Sequence, residues 1–360
     1  MEKKVRVAII GCGGIANGKH IPALSKLDTV ELVAFCDIIE QKALDAAALI
    51  GTTGIRVYTD YKELLKDETI DVIHVCTPNK SHSFITIDAL EAGKHVLCEK
   101  PMAKTSAEAR LMVEAAKRTG KKLTIGYNNR HRPDSVHLKK ICERGDLGEI
   151  YYAKAHAIRR RAVPTWGVFL NEDEQGGGPL IDIGTHALDL TLWLTNNYKV
   201  KSVVGNIYHK LGSKKDAANA WGSWNPEEFK VEDSAFGFIT MQDGATIVIE
   251  ASWALNSLDI DEAKSTLCGT EGGADMKEGL RINGEDMGKL YVKTPDLGIG
   301  GVAFFDGSEE KDSDREARLW IDNIIHDTDP IVLPEQALVV TEILEAIYES
   351  ARTGKAVYFE

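Results

Sequence analysis

The 360-residue sequence contains no Cys-x-x-Cys pair; its six cysteines stand apart at positions 12, 36, 76, 98, 142 and 268. That spacing excludes a zinc ribbon and a thioredoxin-like redox pair. Cys36, Cys76 and Cys98 lie in apolar runs and read as buried, reduced thiols of a cytosolic chain. Positive charge is in deficit, 43 Lys and Arg against 55 Asp and Glu, for a net charge of −12. A chain that grips a nucleic-acid backbone wants a basic surface, so nucleic acid is excluded as the main partner. No run of ~18 apolar residues is present to span a membrane. The apolar run in "MEKKVRVAIIGCGG" is too short for a secretory signal, so the cytoplasm is the expected compartment. Internal repeats and low-complexity tracts are absent as well. What remains is an ordinary globular composition, 43% hydrophobic and 27% charged. The length suffices for two domains at ~150 residues each.

The first part of the chain alternates two patterns. Short apolar runs rich in Val and Ile, at Val5–Ile10, Leu32–Cys36, Val72–Cys76, His95–Cys98 and Leu123–Gly126, read as strands buried on both faces. Helical stretches lie between them, at Ile39–Ile50, Ser81–Ala92 and Ser106–Thr119. Such alternation implies a parallel sheet with right-handed crossovers. The texture then changes. "YYAKAHAIRR", "KSVVGNIYHK", "SAFGFITM" and "ATIVIEASWA" are longer strands with partial alternation, and "MQDGAT" carries an Asp-Gly hairpin turn. The tail is helical at Asp312–Asp327 and Pro334–Arg352, closed by Gly354. The charged run "DGSEEKDSDRE" reads as a solvated loop and helix start. The expected fold class is α/β, a Rossmann dinucleotide-binding domain over residues 1–126. An α+β domain with a mostly antiparallel open sheet is expected over 127–360.

"AIIGCGGIA" follows the first strand and precedes a helix, with Gly11, Gly13 and Ala16 in a G-x-G-x-x-A pattern. Gly11 permits the tight turn, Gly13 lets a pyrophosphate approach the backbone, and small Ala16 lets helix and strand pack closely. Gly14 and Ile15 belong to the same cofactor-binding turn, whose helix N-terminus favours phosphate. Asp37 ends the second strand, 21 residues beyond Ala16, where a carboxylate hydrogen-bonds the ribose hydroxyls and repels a 2′-phosphate. Ile38 and Ile39 bring no Arg to bind such a phosphate, so the expected cofactor is NAD in preference to NADP.

Ligands of such sheets bind beyond the carboxyl ends of the strands. "CTPNKSH" sets Thr77, Pro78, Asn79 and His82 there, and "HVLCEKPMA" sets Glu99 and Lys100 beyond the neighbouring strand. A Lys before Pro at a strand end is not needed for packing. Farther on, the mostly apolar helix in "GGGPLIDIGTHALDLTLW" carries Asp182 and His186 at i and i+4, hence on one face, with Asp189 at i+7. Ile181, Leu188 and Leu192 form the opposite, buriable face, and glycines 176–178 allow close backbone approach before it. From the residues alone, His186 could also be a satisfied core histidine, or pair with Asp182 on zinc; no third ligand is suggested nearby, so no metal is expected. Asp189 reads as structural.

"GCGGIA", "CTPN", "AGKHVLCEKPMA", "GYNNRHRP" and "GGGPLIDIGTHALDL" together resemble the glucose–fructose oxidoreductase, inositol dehydrogenase and MocA family of NAD(P)-dependent oxidoreductases. The resemblance spans almost the whole chain and is weakest after residue 255. It implies that Lys100, Asp182 and His186 are catalytic and also touch substrate. It implies that the sheet of the second domain walls the substrate site and often joins copies, as homodimers or homotetramers. It sets Tyr127 and Asn128 near the nicotinamide ribose, Tyr127 on the substrate side and Asn128 on the cofactor. The segment "AIRRRAVPTWGVF" approaches nicotinamide and substrate in related sequences, which makes Arg160 a substrate candidate and Trp166 a candidate for both. Three consecutive arginines on a strand point alternately to two faces, so not all reach one site.

The implied reaction moves a hydride between a secondary alcohol and the nicotinamide. His186 takes the hydroxyl proton, Asp182 orients the ring or a substrate hydroxyl, and Lys100 donates to the reacting oxygen. The expected substrate is a hexopyranose or glycoside, oxidised first at the C3 hydroxyl. A cyclitol dehydrogenase is the alternative. A non-catalytic NAD-bound regulator would be expected to lose the Lys or the His, and both are present. An enzyme that holds NAD between two half-reactions also fits.

Overall fold

The computed structural model describes residues 4–51, 53–297 and 310–359. The chain divides into two compact units, Met1–Asn128 with Glu310–Leu338, and Asn129–Glu309 with Val339–Glu360.

The first unit is built on six parallel strands: β1 Val5–Ile10, β2 Val30–Cys36, β3 Arg56–Tyr58, β4 Val72–Val75, β5 His95–Cys98 and β6 Leu123–Ile125. Their order is β3-β2-β1-β4-β5-β6. The order reverses between β1 and β4, the switch point where such sheets bind ligands. Both faces are covered, so Val7, Ala8, Ile9, Val72 and Ile73 are fully buried, and the strands read as unbroken apolar runs for that reason. β3 was not expected. It has three half-buried residues on an edge and no apolar run to announce it. The helix Ser106–Thr119 shows the local logic well. Thr105 and Glu108 form a reciprocal capping box at its start, and Gly120 in the left-handed region ends it.

The stretch expected to form the second domain, 127–360, is shared between the two compact units. The tail helix Asp312–Ile325 belongs to the first unit, where Ala317, Trp320 and Ile321 join the core with Val5, Leu24 and Phe35. Lys26 pairs with Asp314 at 2.6 Å, and Lys19 with Glu316 at 2.8 Å. Its 3.6-residue period announces a helix but not the core that receives it. Part of the charged run, residues 306–309, lies outside the described residues. Within the rest Glu316 is buried rather than solvated.

The second unit carries nine strands: β7 Ile150–Ile158, β8 Val200–Tyr208, β9 Ser234–Met241, β10 Thr246–Ser252, β11 Asp261–Gly269, β12 Gly272–Asp275, β13 Arg281–Asp286, β14 Lys289–Lys293 and β15 Val357–Tyr358. The order is β14-β13-β12-β11-β7-β10-β9-β8-β15. Every pairing is antiparallel except β10 with β7. Asp243 and Gly244 turn the β9–β10 hairpin as expected, with Gly244 at φ +95°. One face of the sheet packs on helices. There Gly205 and Gly237 leave room for Ile347, which an added methyl carbon would approach to 2.8 and 2.7 Å. The other face leaves the paired Val204 and Phe238 exposed.

Strand β7 stops at Ile158, so the three arginines that follow leave the strand instead of alternating along it. β11 to β14 were not expected: β13 and β14 have no buried position, and the buried positions of β11 and β12 are mostly small or polar, so no apolar run marks them. The helix Pro133–Arg144 was also missed, although Pro133 at its first turn and left-handed Gly145 at its end are standard start and stop residues respectively.

Candidate functional site

In the first unit β1 runs into Gly11 at φ +92°. A methyl carbon at Gly11 would lie 2.6 Å from the Cys76 carbonyl oxygen and 2.8 Å from the Thr77 nitrogen, so only glycine brings the turn against the end of β4. Gly13 and Gly14 are open on the side where a methyl carbon would project, with nothing within 4 Å. That leaves their backbone free for close approach by a pyrophosphate. Ala16 is fully buried and starts a π-helical turn, Ala16–His20, while Ile15 stays exposed.

Asp37, partly exposed at the end of β2, accepts the Cys12 N–H on Oδ2 and the Ile39 N–H on Oδ1, both at 2.9 Å. It thus pins the glycine turn to β2, and a carboxylate has acceptor sites left for a diol. The residues fit NAD: an open glycine turn, a helix start and an acid where the ribose hydroxyls would lie. Burial and the Asp37 charge push the neighbouring Cys12 thiol up to about 12, and burial lifts Cys36 likewise. Both thiols are therefore unreactive at neutral pH. All six cysteines are free.

The loops after β4 and β5 are joined from beneath. His82, buried, lies 2.8 Å from the Thr77 carbonyl oxygen through Nε2 and 2.8 Å from the Pro101 carbonyl oxygen through Nδ1. Glu99 is buried, and its Oε1 binds Lys19 Nζ and His20 Nε2, each at 2.8 Å. Its Oε2 accepts the Lys100 N–H at 3.2 Å. Burial alone would push the Glu99 carboxyl up, but the Lys19 ammonium and the His20 ring hold it well below the usual carboxylate range. His20 Nδ1 in turn lies 2.9 Å from His74 Nδ1, and burial keeps His74 neutral by lowering its pKa. Glu99 and His82 therefore support the loops that carry Lys100, Thr77 and Pro78. Lys100 and Asn128 are partly exposed, Asn79 and Tyr127 are buried, and Pro78 is exposed.

The second unit carries the other candidate residues. The stretch from 176 to 193 is not one α-helix: three glycines lead into a π-helical turn, Leu180–Gly184, and the α-helix runs Thr185–Thr195. π-Turns of this kind collect at functional sites. The glycines are steric requirements. A methyl carbon on Gly178 would meet the Glu232 carbonyl oxygen at 2.2 Å, and one on Gly177 the Tyr348 hydroxyl at 2.1 Å. Glu232 was missed by sequence reasoning. It is 2% exposed and accepts from Gly178 N–H (2.8 Å), Leu180 N–H (3.1 Å) and the Tyr348 hydroxyl (2.9 Å). A carboxylate there satisfies orphan donors and complements the helix dipole.

From Leu180 to Leu192 every residue is buried except Asp182 and His186. Asp182 Oδ2 accepts the Trp253 indole N–H at 3.0 Å, which fixes the carboxylate. Asp189, fully buried, is not part of this pair; its oxygens take Arg130 at 3.0 and 2.6 Å. A fixed acid and an imidazole one turn later can hold a hydroxyl and accept its proton. No group of three or more His, Cys, Asp or Glu able to hold a metal is found among the described residues.

Of the three arginines, Arg159 feels the Asp182 charge. Burial would lower its pKa, while Glu262, gripped at 2.6 Å by both Nε and Nη2, and then Asp182 raise it. Arg160 is exposed, and its carbonyl oxygen accepts the Leu255 N–H at 3.0 Å. Arg161 binds Asn256 at 2.5 Å. Trp166 is half-exposed, with its ring 4.9 Å from that of Trp221. Arg159, Trp221 and Trp253 were missed. The signal for Arg159 was the parity of the strand, lost because β7 ends one residue before it.

Comparison with known proteins gives two consecutive matches: the oxidoreductase family with an NAD-binding Rossmann fold over residues 5–127, and its C-terminal alpha/beta domain over 139–359. The chain is 36% identical over 356 residues to the D-glucoside 3-dehydrogenase of Escherichia coli K12, covering 98% of this chain and 97% of that one. It is 29% identical over 204 residues to the inositol 2-dehydrogenase of Salmonella typhimurium LT2, 55% of this chain and 57% of that one. Among solved structures it is similar to GenD2 from gentamicin A biosynthesis in complex with NAD, with a TM-score of 0.77 and 26% identity over 100% of this chain and 97% of the other. No helix among the described residues is long and apolar enough to cross a membrane.

Proposed function

The chain belongs to the GFO/IDH/MocA family of NAD-binding oxidoreductases, and on that premise we propose that it oxidises a ring hydroxyl of a glucoside or related hexopyranose, with the C3 hydroxyl first. The observation that carries this reading is the pair Asp182 and His186, the two side chains left unburied along Leu180–Leu192. The full-length likeness to a D-glucoside 3-dehydrogenase supports the substrate class. The nicotinamide, when bound, supplies the hydride acceptor. His186 takes the hydroxyl proton, an imidazole being suited to that near neutrality. Asp182, directed by Trp253, orients the ring or a sugar hydroxyl. Lys100 donates to the reacting oxygen and stabilises negative charge developing there. Gly11, Gly13, Gly14, Ala16 and Asp37 hold the dinucleotide. We further propose that the protein works in the cytoplasm, and that it forms a homodimer or homotetramer, the assembly being supported by the uncovered Val204 and Phe238 on the open sheet face.

Cofactor reduction followed by absorbance, with methyl glucoside, glucose and myo-inositol, tests the reading, and NMR of the product locates the ketone. Turnover with the glucoside and a 3-keto product is expected. Turnover with inositol alone would favour the cyclitol reading suggested by the inositol 2-dehydrogenase likeness. NAD binding without turnover of any sugar or cyclitol would make the protein a regulator. Asp37→Arg is expected to raise the KM for NAD by about tenfold or more, the loss of a hydrogen bond to a charged group, and to admit NADP. An unchanged preference would remove Asp37 from the ribose.

A further inference from the structure

Asp182 is the inner end of a row of aromatic rings. Trp253, which donates to it, is fully buried. The Phe169 ring lies 6.3 Å from that of Trp253, Trp166 5.9 Å from Phe169, and Trp221 4.9 Å from Trp166, each pair edge to face. Burial falls along the row until Trp166 and Trp221 are 52% and 44% exposed. Two adjacent exposed indoles are costly in water, and the fold holds them firmly. The Asn219 amide accepts the Val163 N–H at 2.8 Å and donates to the Val163 carbonyl at 3.0 Å and the Gly222 carbonyl at 2.8 Å. The Thr165 hydroxyl donates to the Trp221 carbonyl at 2.8 Å, and the Ala220 N–H to the Arg161 carbonyl at 3.1 Å. The Arg159 guanidinium, anchored on Glu262, lies 5.4 Å from the centre of the Trp221 ring. The two loops, Arg161–Thr165 and Asn219–Gly222, are thereby stapled together with their tryptophans outermost.

A hydroxyl held at Asp182 sits at the buried end of this row. We propose that Trp166 and Trp221 form a subsite for a second ring of the substrate, the aryl or sugar aglycone of a glucoside, with Trp221 setting the preference for substrates that carry one. This rests on the glucoside reading above and deepens it. A flat indole held rigid offers area at low entropic cost to the apolar face of either kind of ring.

The test compares the wild type with Trp221→Ala and Trp221→Leu, all in the presence of NAD. The substrates are methyl glucoside, phenyl glucoside and a glucosyl disaccharide. In the wild type, KM for at least one two-ring substrate is expected to be lower than for methyl glucoside. Both variants are expected to shrink that ratio by about tenfold, the worth of one aromatic stacking contact. Whether the phenyl or the disaccharide arm responds identifies the ring. An equal change for one-ring and two-ring substrates overturns the subsite, as does a wild type that prefers neither. A change of mass by light scattering in the variants also overturns it, since the indoles would then be covered by a second copy. Calorimetric Kd values for the methyl and phenyl glucosides read the same ratio without turnover. A wild type that binds phenyl glucoside through Trp221 but oxidises no glucoside therefore sinks the proposed reaction and keeps the subsite.

Discussion

Replacing His186 by Asn is expected to lower kcat by about 100- to 10,000-fold at neutral pH, the range for loss of a general base. The imidazole and Asp182 are left unburied in a run of thirteen residues otherwise withdrawn from water, Leu180–Leu192. The run is expensive to place: it needs glycines at 177 and 178 and the buried Glu232 at its start. Asn fits the same space and can still accept a hydrogen bond, but it cannot take the proton. NAD binding should persist, because the glycine turn and Asp37 belong to the other unit. The wild-type rate should fall as acid protonates the imidazole, and the variant should lose that limb of the pH profile. A change under threefold, or an unaltered pH profile, would make His186 structural.

Asp189→Ala is expected to be the most damaging substitution outside the site, destabilising the second unit by about 3–5 kcal/mol. Arg130 and Asp189 are both wholly buried, and the guanidinium spans the carboxylate at 3.0 and 2.6 Å. The ring of Trp193 lies against Arg130, and the Tyr198 hydroxyl accepts from it at 3.4 Å. Losing the acid strands a cation that cannot shed its proton. Urea unfolding measures the loss. The double variant Arg130→Met with Asp189→Leu should recover most of it, since removing both charges together removes the desolvation cost too. If Asp189→Ala costs less than about 1 kcal/mol, the pair is not carrying the helix and water must reach the arginine.

Chemistry written in local sequence was legible, and chemistry assembled from distant segments was not. Gly11 and Asp37 announce themselves because strand, turn and strand end follow in order, and Asp182 with His186 because they stand four residues apart in an otherwise buried run. Trp253 joins Asp182 from 71 residues away, and no local period signals that. Glu232 caps a helix whose start lies 52 residues earlier, and a lone acidic residue carries no local mark of burial. β11 and β12 were missed because their buried positions are mostly small or polar, Ala263, Ser265 and Ala274 among them, so burial alternates without an apolar signal in the sequence. The arginines 159–161 were read as strand residues, whereas regular β7 ends at Ile158 and only an isolated bridge at Arg161 follows.

The helix Asp312–Ile325 has a bearing on how the protein is made. Ala317, Trp320 and Ile321 complete a core whose other members lie in the first hundred residues, and Glu316 answers Lys19 inside it. Domains generally fold in the order in which the ribosome releases them. Here the nucleotide-binding half emerges first yet lacks a wall until nearly the whole chain has been synthesised. An excised amino-terminal fragment would expose that gap, and the nascent chain must keep it shielded until the last helices arrive.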